Sequence, residues 1–410
     1  MGLNNTPSSE RIQIGFLGRT NAGKSSLINA ICGQQVSLVS DIKGTTTDPL
    51  KKSMELLPLG PVLLIDTPGL DDNSKLGELR QQRTKEILQQ IHIAVIVIDA
   101  REGMQETEIW LQRQLEERNI PYLVVYNKKD LLPESNTGKE PIISHDLAGK
   151  KIGKTTETIF VSAATKENMG LLKEKIASIP IERTEKKLVS DLLAKGDHVV
   201  LVIPIDKAAP KGRLILPQQQ TIRDILDVGC TLSVCQVETL VETLDMLKKP
   251  PRLIITDSQV FSEVKDLIPE TMMLTSFSIL FARYKGDLEG NVKGAFQIGK
   301  LKDGDKILIS EGCTHHRQCG DIGTQKLPQW ILKHTGKKLN FEFTSGENFP
   351  LDLSKYQLII HCGGCMLNEK QMQERLARAK HQRVPMTNYG ITIAFLNHIL
   401  ERSIEFLMYK

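Results

Sequence analysis

Aromatic residues are scarce in this chain. Phe, Trp and Tyr make up 5% of its 410 residues, and two of them are tryptophans. Nor is either charge in excess: 53 Lys and Arg stand against 49 Asp and Glu, a formal net charge of +4. A charge that small argues neither for nor against nucleic acid, but no Lys/Arg run is dense enough to act as a phosphate-binding arm. A basic stripe interleaved with aromatics is also lacking, so no nucleic-acid partner is expected. Long apolar runs are missing too. The longest, Ile91 to Ala100, is about half of the roughly 20 residues that a membrane span needs, and it reads as a buried strand. The N-terminus, MGLNNTPSSE, is polar and has no apolar signal region. These absences predict a cytoplasmic protein with no membrane partner. In that compartment the seven cysteines are not expected in structural disulfides, and their grouping matters more than their number.

What is present is length and a balanced composition. At roughly 150 residues per domain the chain suggests two or three domains. With 40% hydrophobic and 25% charged residues it can bury real cores. The first 180 residues alternate apolar runs (RIQIGFLG, PVLLIDTPG, HIAVIVIDA, YLVVYNKKD, ETIFVSA) with helical stretches. That is the pattern of a βαβ parallel sheet, whose carboxyl-end loops bind ligand. A charged stretch from Pro180 marks a boundary. A second α/β unit, 181–272, contains DHVVLVIPID and RLIITDSQV, with Cys230 and Cys235 read as core residues. A third, 273–410, contains DKILISEGCTHH and YQLIIHCGGC, two strand-like runs that each finish in a Cys/His loop. No repeat of fixed period is evident. The fold class expected is α/β: a phosphate-loop domain with a parallel-type sheet, then two further α/β domains.

Residues 18–25, GRTNAGKS, match G-x-x-x-x-G-K-[ST] between a strand and a helix. Gly18 and Gly23 let the loop curl so that its N–H groups face phosphates. Lys24 is a point charge for the β- and γ-phosphates, Ser25 offers a hydroxyl to Mg²⁺, and the helix N-terminus adds a favourable dipole. Asn21 and Ser26 complete the loop candidates. Asp66 in DTPG would reach Mg²⁺ through water, and the Gly69 N–H can sense the γ-phosphate. NKKD, Asn127 to Asp130 with Lys128 between, decides the base: the Asp130 carboxylate accepts two N–H bonds that guanine supplies and adenine cannot. Ser162 and Ala163 fit the loop that contacts guanine O6. GTTTD, Gly44 to Asp48, reads as a switch that orders with GTP, with Thr46 the Mg²⁺ ligand. Lys24, Thr46, Asp66 and Gly69 are thus the catalytic candidates, and GTP, GDP and Mg²⁺ the ligands.

These motifs in this order resemble the translation-factor-like GTPases, and within them the tRNA-modification and Era group. The resemblance implies a potassium ion beside the phosphates, bound with help from Asn21. Leu70 stands where Ras-type enzymes place the glutamine that orients water, so slow, K⁺-stimulated hydrolysis is expected.

Four of the cysteines, Cys313, Cys319, Cys362 and Cys365, lie in the last unit with His315, His316 and His361. By residue type alone they fit a zinc site, a redox pair, an iron–sulfur site or buried thiols. CxH in GCTHH, followed by HCxxC in HCGGC downstream of an Era-like GTPase, resembles the GTPases of [FeFe]-hydrogenase maturation, the HydF family. The resemblance implies three domains: GTP-binding (1–180), dimerisation (181–272) and iron–sulfur (273–410). It implies a [4Fe–4S] cluster on Cys313, Cys362 and Cys365, with His315 or His361 as fourth ligand or as a hydrogen-bonding neighbour. Cys319, Asp321 and His316 are further alternatives. It also implies a homodimeric scaffold that receives a di-iron unit from two radical-SAM maturases and delivers it to the hydrogenase apoprotein. The competing expectations are an Era-like GTPase acting on RNA or the ribosome through a zinc-stabilised module, and a GTP-regulated thiol redox protein.

Overall fold

The computed structural model describes residues 6–33, 50–69, 84, 86–133, 158–181, 186–205, 214–312, 321–346 and 348–408. The chain divides into two compact units, Met1–Arg183 and Thr184–Lys410.

In the first unit, strand β1 (Ile12–Leu17) is buried at every position, as a strand covered on both faces must be. It leads through the phosphate loop into helix α1 (Lys24–Cys32). Strands β2 (Lys51–Leu56), β3 (Gly60–Asp66) and β4 (Ile93–Asp99) follow, then α2 (Glu106–Glu117), β5 (Tyr122–Asn127), β6 (Thr158–Phe160) and α3 (Met169–Ser178). The sheet order is β2-β3-β1-β4-β5-β6. All pairs are parallel except β2 with β3. Alternate β1 residues serve two cores: Ile14 and Phe16 pack with Leu27 and Ile28 of α1, while Leu17 packs with Ile87 and Leu111 on the other face.

The second unit opens with β7 (His198–Val202), α4 (Leu216–Asp227), β8 (Thr231–Cys235), α5 (Leu240–Asp245), β9 (Leu253–Thr256), α6 (Phe261–Leu267), β10 (Leu274–Ser276) and α7 (Phe277–Lys285). It continues with α8 (Leu288–Ala295), β11 (Lys306–Ser310), α9 (Leu327–Thr335), β12 (Asn340–Thr344), β13 (Leu358–His361), α10 (Glu369–His381), β14 (Met386–Asn388), α11 (Tyr389–Leu396) and α12 (Leu400–Met408). The strands form two four-stranded sheets, β10-β9-β7-β8 and β12-β11-β13-β14, each parallel throughout. The middle sheet takes in β10, just beyond the boundary expected after residue 272. Cys230, just before β8, and Cys235, its last residue, are both buried, as core residues.

Counted within its own half, each sheet has the order 2-1-3-4. Each ends in the same device: Thr275-Ser276-Phe277 in one, Thr387-Asn388-Tyr389 in the other. Ser276 accepts the Ile279 N–H (3.3 Å) and Asn388 the Ile391 N–H (2.8 Å), so both helices start on a side-chain cap. The two halves are therefore one architecture used twice, although no period was legible in the sequence. They interlock where α7 meets α11: a Cβ on Gly390 would stand 2.4 Å from the Ser278 Cβ, so only glycine permits that approach. Residues of the first sheet (Val200, Ile254, Leu274) share a core with Ile391, Ala394 and Leu400.

Candidate functional site

The phosphate loop joins β1 to α1 and is held by contacts that explain its glycines. Gly18 has φ 142°, and a Cβ there would lie 2.3 Å from the Val97 carbonyl oxygen. Gly23 has φ 90°, and a Cβ would lie 2.3 Å from Asn127 Nδ2. Lys24 is buried and bends back so that Nζ donates to the carbonyls of Gly18 (3.0 Å) and Arg19 (2.7 Å). Ser25 Oγ donates to Asp66 Oδ2 at 2.5 Å. The other carboxylate oxygen, Oδ1, is buried without a hydrogen-bond partner. A buried carboxylate oxygen left unpaired beside a serine hydroxyl suits a hard divalent cation, so the residues fit Mg²⁺. A Cβ on Gly69 would come within 2.5 Å of the Thr20 Cα, so DTPG meets the phosphate loop backbone to backbone.

The base-side residues converge from the carboxyl ends of β5 and β6. Asn127 Nδ2 donates to the Ala22 carbonyl, and Oδ1 accepts the Ala163 N–H, both at 3.1 Å. One amide thus ties the phosphate loop to the Ser162-Ala163 loop. Lys128 Nζ donates to the Asn21 carbonyl (2.6 Å) and to Asp99 Oδ2 (2.8 Å). Ser162 Oγ accepts the Thr165 N–H at 3.1 Å. Asp130 is exposed, as are Asn21, Ser25 and Ser26.

Sequence reasoning missed two supports. Asp99, at the end of β4, is buried and takes both Lys128 and the Arg101 guanidinium (3.0 and 2.6 Å). The Arg101 hydrogen bonds, and behind them Lys128, hold its carboxyl well below the usual range. Arg19 of the loop pairs with fully buried Glu108 of α2 at 3.0 Å and with Glu102 at 2.8 Å. A strand-end Asp and a mid-loop Arg have no motif of their own.

The second cluster of interest lies in the other unit. β11 and β13 are parallel neighbours with Ser310 opposite His361. That register sets the carboxyl ends of β11 and β13, which lead in sequence to the two Cys/His segments, side by side. The described chain reaches Gly312, one residue before Cys313, with its N–H donating to Cys362 Sγ at 3.0 Å. The Gly364 N–H donates to the same sulfur at 3.4 Å, and Gly364 has φ 63°. Burial pushes the Cys362 thiol up to about 11, against those two N–H groups, and burial also raises Cys365, against Lys285. A metal would displace the protons, and N–H groups aimed at sulfur favour the thiolate, so the donor set fits a thiolate-bound cluster.

His361 is fully buried. Nδ1 donates to the Cys362 carbonyl at 2.7 Å, so Nε2 accepts from Arg375 Nη1 at 2.8 Å. Arg375 also donates to the Gly346 carbonyl at 2.6 Å and lies 5.0 Å over the Phe349 ring. Burial first, and the Arg375 cation second, push His361 down to about 3. Both ring nitrogens are committed. Of the roles open to it in sequence, ligand or hydrogen-bonding neighbour, this geometry favours the second. Asp321 is likewise engaged: its Oδ2 accepts the Thr324 N–H (2.9 Å) and hydroxyl (3.0 Å). Thr46 with the rest of GTTTD, Leu70, Cys313, His315, His316 and Cys319 lie outside the described residues. Among the described residues, no group of three His, Cys, Asp or Glu side chains is disposed to hold a metal ion, and no helix is long and apolar enough to cross a membrane.

Three family models match the chain. Residues 13–128 match a 50S ribosome-binding GTPase domain. Residues 188–286 match the hydrogen maturase F dimerization domain, and residues 289–406 the hydrogen maturase F tetramerization domain. The chain is 34% identical over 165 residues to the tRNA modification GTPase MnmE of Nitrosomonas europaea, covering 40% of this chain and 34% of that one. It is 30% identical over 187 residues to GTPase Der of Wolinella succinogenes, covering 45% and 39%. The chain thus spans well under half the length of these curated relatives. Among solved structures, GDP–AlF4⁻-bound Era of Aquifex aeolicus is 21% identical with a TM-score of 0.33, covering 62% of this chain and 97% of that one.

Proposed function

The chain belongs to the hydrogen maturase F family, with a GTPase domain in front of two family-specific domains, and from that premise we propose that it is a GTP-hydrolysing scaffold for the di-iron unit of [FeFe]-hydrogenase. The observation that carries the proposal is Cys362 Sγ under two converging N–H groups, beside the strand end that leads into Cys313. Cys313, Cys362 and Cys365 would hold a [4Fe–4S] cluster. With three protein thiolates, the cluster supplies an exchangeable position to which a further iron fragment can attach. The fragment is cargo, received from two radical-SAM maturases and passed to the hydrogenase apoprotein. His361 keeps the loop in shape as a neutral imidazole anchored on Arg375.

In the first unit, Lys24 and the loop N–H groups would hold the phosphates, with Ser25, Thr46 and Asp66 around Mg²⁺. Asp130 would select guanine. Asn21 would help place K⁺, which assists hydrolysis where no glutamine orients water. GTP turnover would govern partner exchange. A homodimer suits the dimerization domain, whose β8 is an edge strand with Val234 49% exposed. The RNA- or ribosome-directed alternative has support only in the GTPase unit.

The test is anaerobic purification with iron and sulfide assay and EPR, with and without GTP, for wild type, Cys362→Ser and Cys365→Ser. Iron with sulfide that is lost in both variants supports the proposal. Zinc in their place, or iron content indifferent to both substitutions, refutes it. Turnover measured in K⁺ and in Na⁺ checks the monovalent ion; equal rates would remove it from the mechanism.

A further inference from the structure

The loop from His361 to Leu367 has two polar faces. N–H groups, from Gly364 in the loop and from Gly312 opposite, point at Cys362 Sγ. The carbonyls of Gly364, Cys365 and Leu367 point the other way and converge on one ammonium, Lys285 Nζ, at 3.3, 3.2 and 2.8 Å. An ammonium has three N–H donors, and these three acceptors match them. The Phe281 ring lies 5.5 Å from the same nitrogen. Lys285 is 3% exposed, and a cation is costly to bury unless its hydrogen bonds are made. A methionine would fill similar space without that cost, but it would leave the carbonyls with no shared donor.

The position of Lys285 in the fold gives this contact a direction. Lys285 is the last residue of α7, inside the stretch matched by the dimerization domain, whereas the loop lies inside the stretch matched by the tetramerization domain. The far end of α7 is locked against α11 by the Ser278–Gly390 contact and by Asn388 Nδ2 donating to the Ser278 carbonyl at 2.9 Å. Its near end is held by Gln373 Nε2, which donates to the Lys285 carbonyl at 3.1 Å. The helix is a short strut from the middle sheet to the cysteine loop.

We propose that Lys285 is a positioning residue: it holds the His361–Leu367 loop in its cluster-receiving shape from the dimerization half and sets the charge behind it. This rests on reading Cys362 and Cys365 as cluster thiolates.

The test compares full-length wild type, Lys285→Met and Lys285→Arg. In metal-free protein, amide hydrogen exchange over the 361–368 peptide should speed up roughly tenfold or more in Lys285→Met, with the rest of the unit unchanged. After anaerobic reconstitution with ferrous iron and sulfide, the cluster's midpoint potential, followed by EPR, should move more negative in Lys285→Met and stay near wild type in Lys285→Arg. Exchange and potential both unchanged in Lys285→Met would overturn the proposal, as would faster exchange spread evenly over the unit. If Lys285→Met does not fold, Lys285→Gln, with two N–H donors, carries the same comparison. If wild type takes up no iron, the cluster reading fails, and the exchange comparison still decides whether Lys285 holds the loop.

Discussion

Replacing Arg375 with methionine tests the scaffold around the cysteine loop without touching a thiol. Arg375 is 6% exposed, and its guanidinium donates to His361 Nε2 and to the Gly346 carbonyl. Methionine keeps most of the stem and removes both donors. Each buried acceptor left unsatisfied costs about 1–3 kcal/mol, and the lost contact with the Phe349 ring about 0.5–1 kcal/mol more. Relief from burying a cation offsets part of this, so a net loss of about 2–4 kcal/mol is expected. Trp330 lies in the second unit and Trp110 in the first, so urea unfolding read by fluorescence in a Trp110→Phe background follows the second unit alone. The midpoint should fall by about 1 M. Adding His361→Phe removes one orphaned acceptor, so the double variant should lose at least about 1 kcal/mol less than the sum of the singles. Strict additivity, or a loss below about 0.5 kcal/mol, would refute the reasoning and return His361 to the set of free ligands.

Asp130→Asn should weaken GTP binding about 10²–10³-fold, because two charge-assisted bonds to guanine become at best one neutral bond. Titration with a fluorescent GTP analogue checks it, and a change below about tenfold would remove Asp130 from base selection. Asp99→Asn should destabilise the first unit at neutral pH. The folded carboxyl is depressed by Arg101 and Lys128, so its stabilisation is present above the unfolded value of 3.8 and is lost as pH falls through the folded value. The gap between wild type and variant, followed by Trp110 fluorescence, should therefore narrow on acidification below that point. A gap that stays constant down to pH about 3 would show that Asp99 acts through packing and not through charge.

Of the candidate nucleotide site, the phosphate loop, DTPG, NKKD and Ser162-Ala163 were legible because each sits at a strand's carboxyl end and carries a residue type that few other jobs require. Gly23 and Asn127 are 104 positions apart, yet Gly23 follows β1 and Asn127 ends β5, and the parallel order β1-β4-β5 sets their strands close. What the motif hid was its bracing. Asp99 and Arg101 also stand at a strand end, but an acid followed by a base two residues on is a commonplace surface turn. Only the placement of Lys128 gives Asp99 a second cation to hold. The doubling of the second unit left no repeat period in the sequence, for a different reason. Sheet order is fixed by which apolar faces meet, and Val, Ile and Leu exchange freely within that constraint. What survived is short: a Thr, a capping Ser or Asn, and an aromatic at each helix start.

The cysteine loop marks where sequence runs out most clearly. HCGGC names the thiols, but the state of His361 is set by its burial and then by Arg375, and the pose of Cys365 is braced by Lys285. In sequence, Arg375 and Lys285 look like ordinary solvated cations on helices, which is where most such residues stay. Their burial follows from backbone carbonyls of Gly346, Gly364, Cys365 and Leu367, and a carbonyl's direction is written in φ and ψ, not in residue type. Gly364 is the one sequence-level hint, since its φ of 63° favours glycine. A cation that looks misplaced near a Gly-containing cysteine loop is thus better evidence of a built site than the cysteines are. It has no apolar reason to be inside, so the carbonyls it satisfies are its reason, and their orientation fixes the shape of the loop that carries Cys362 and Cys365.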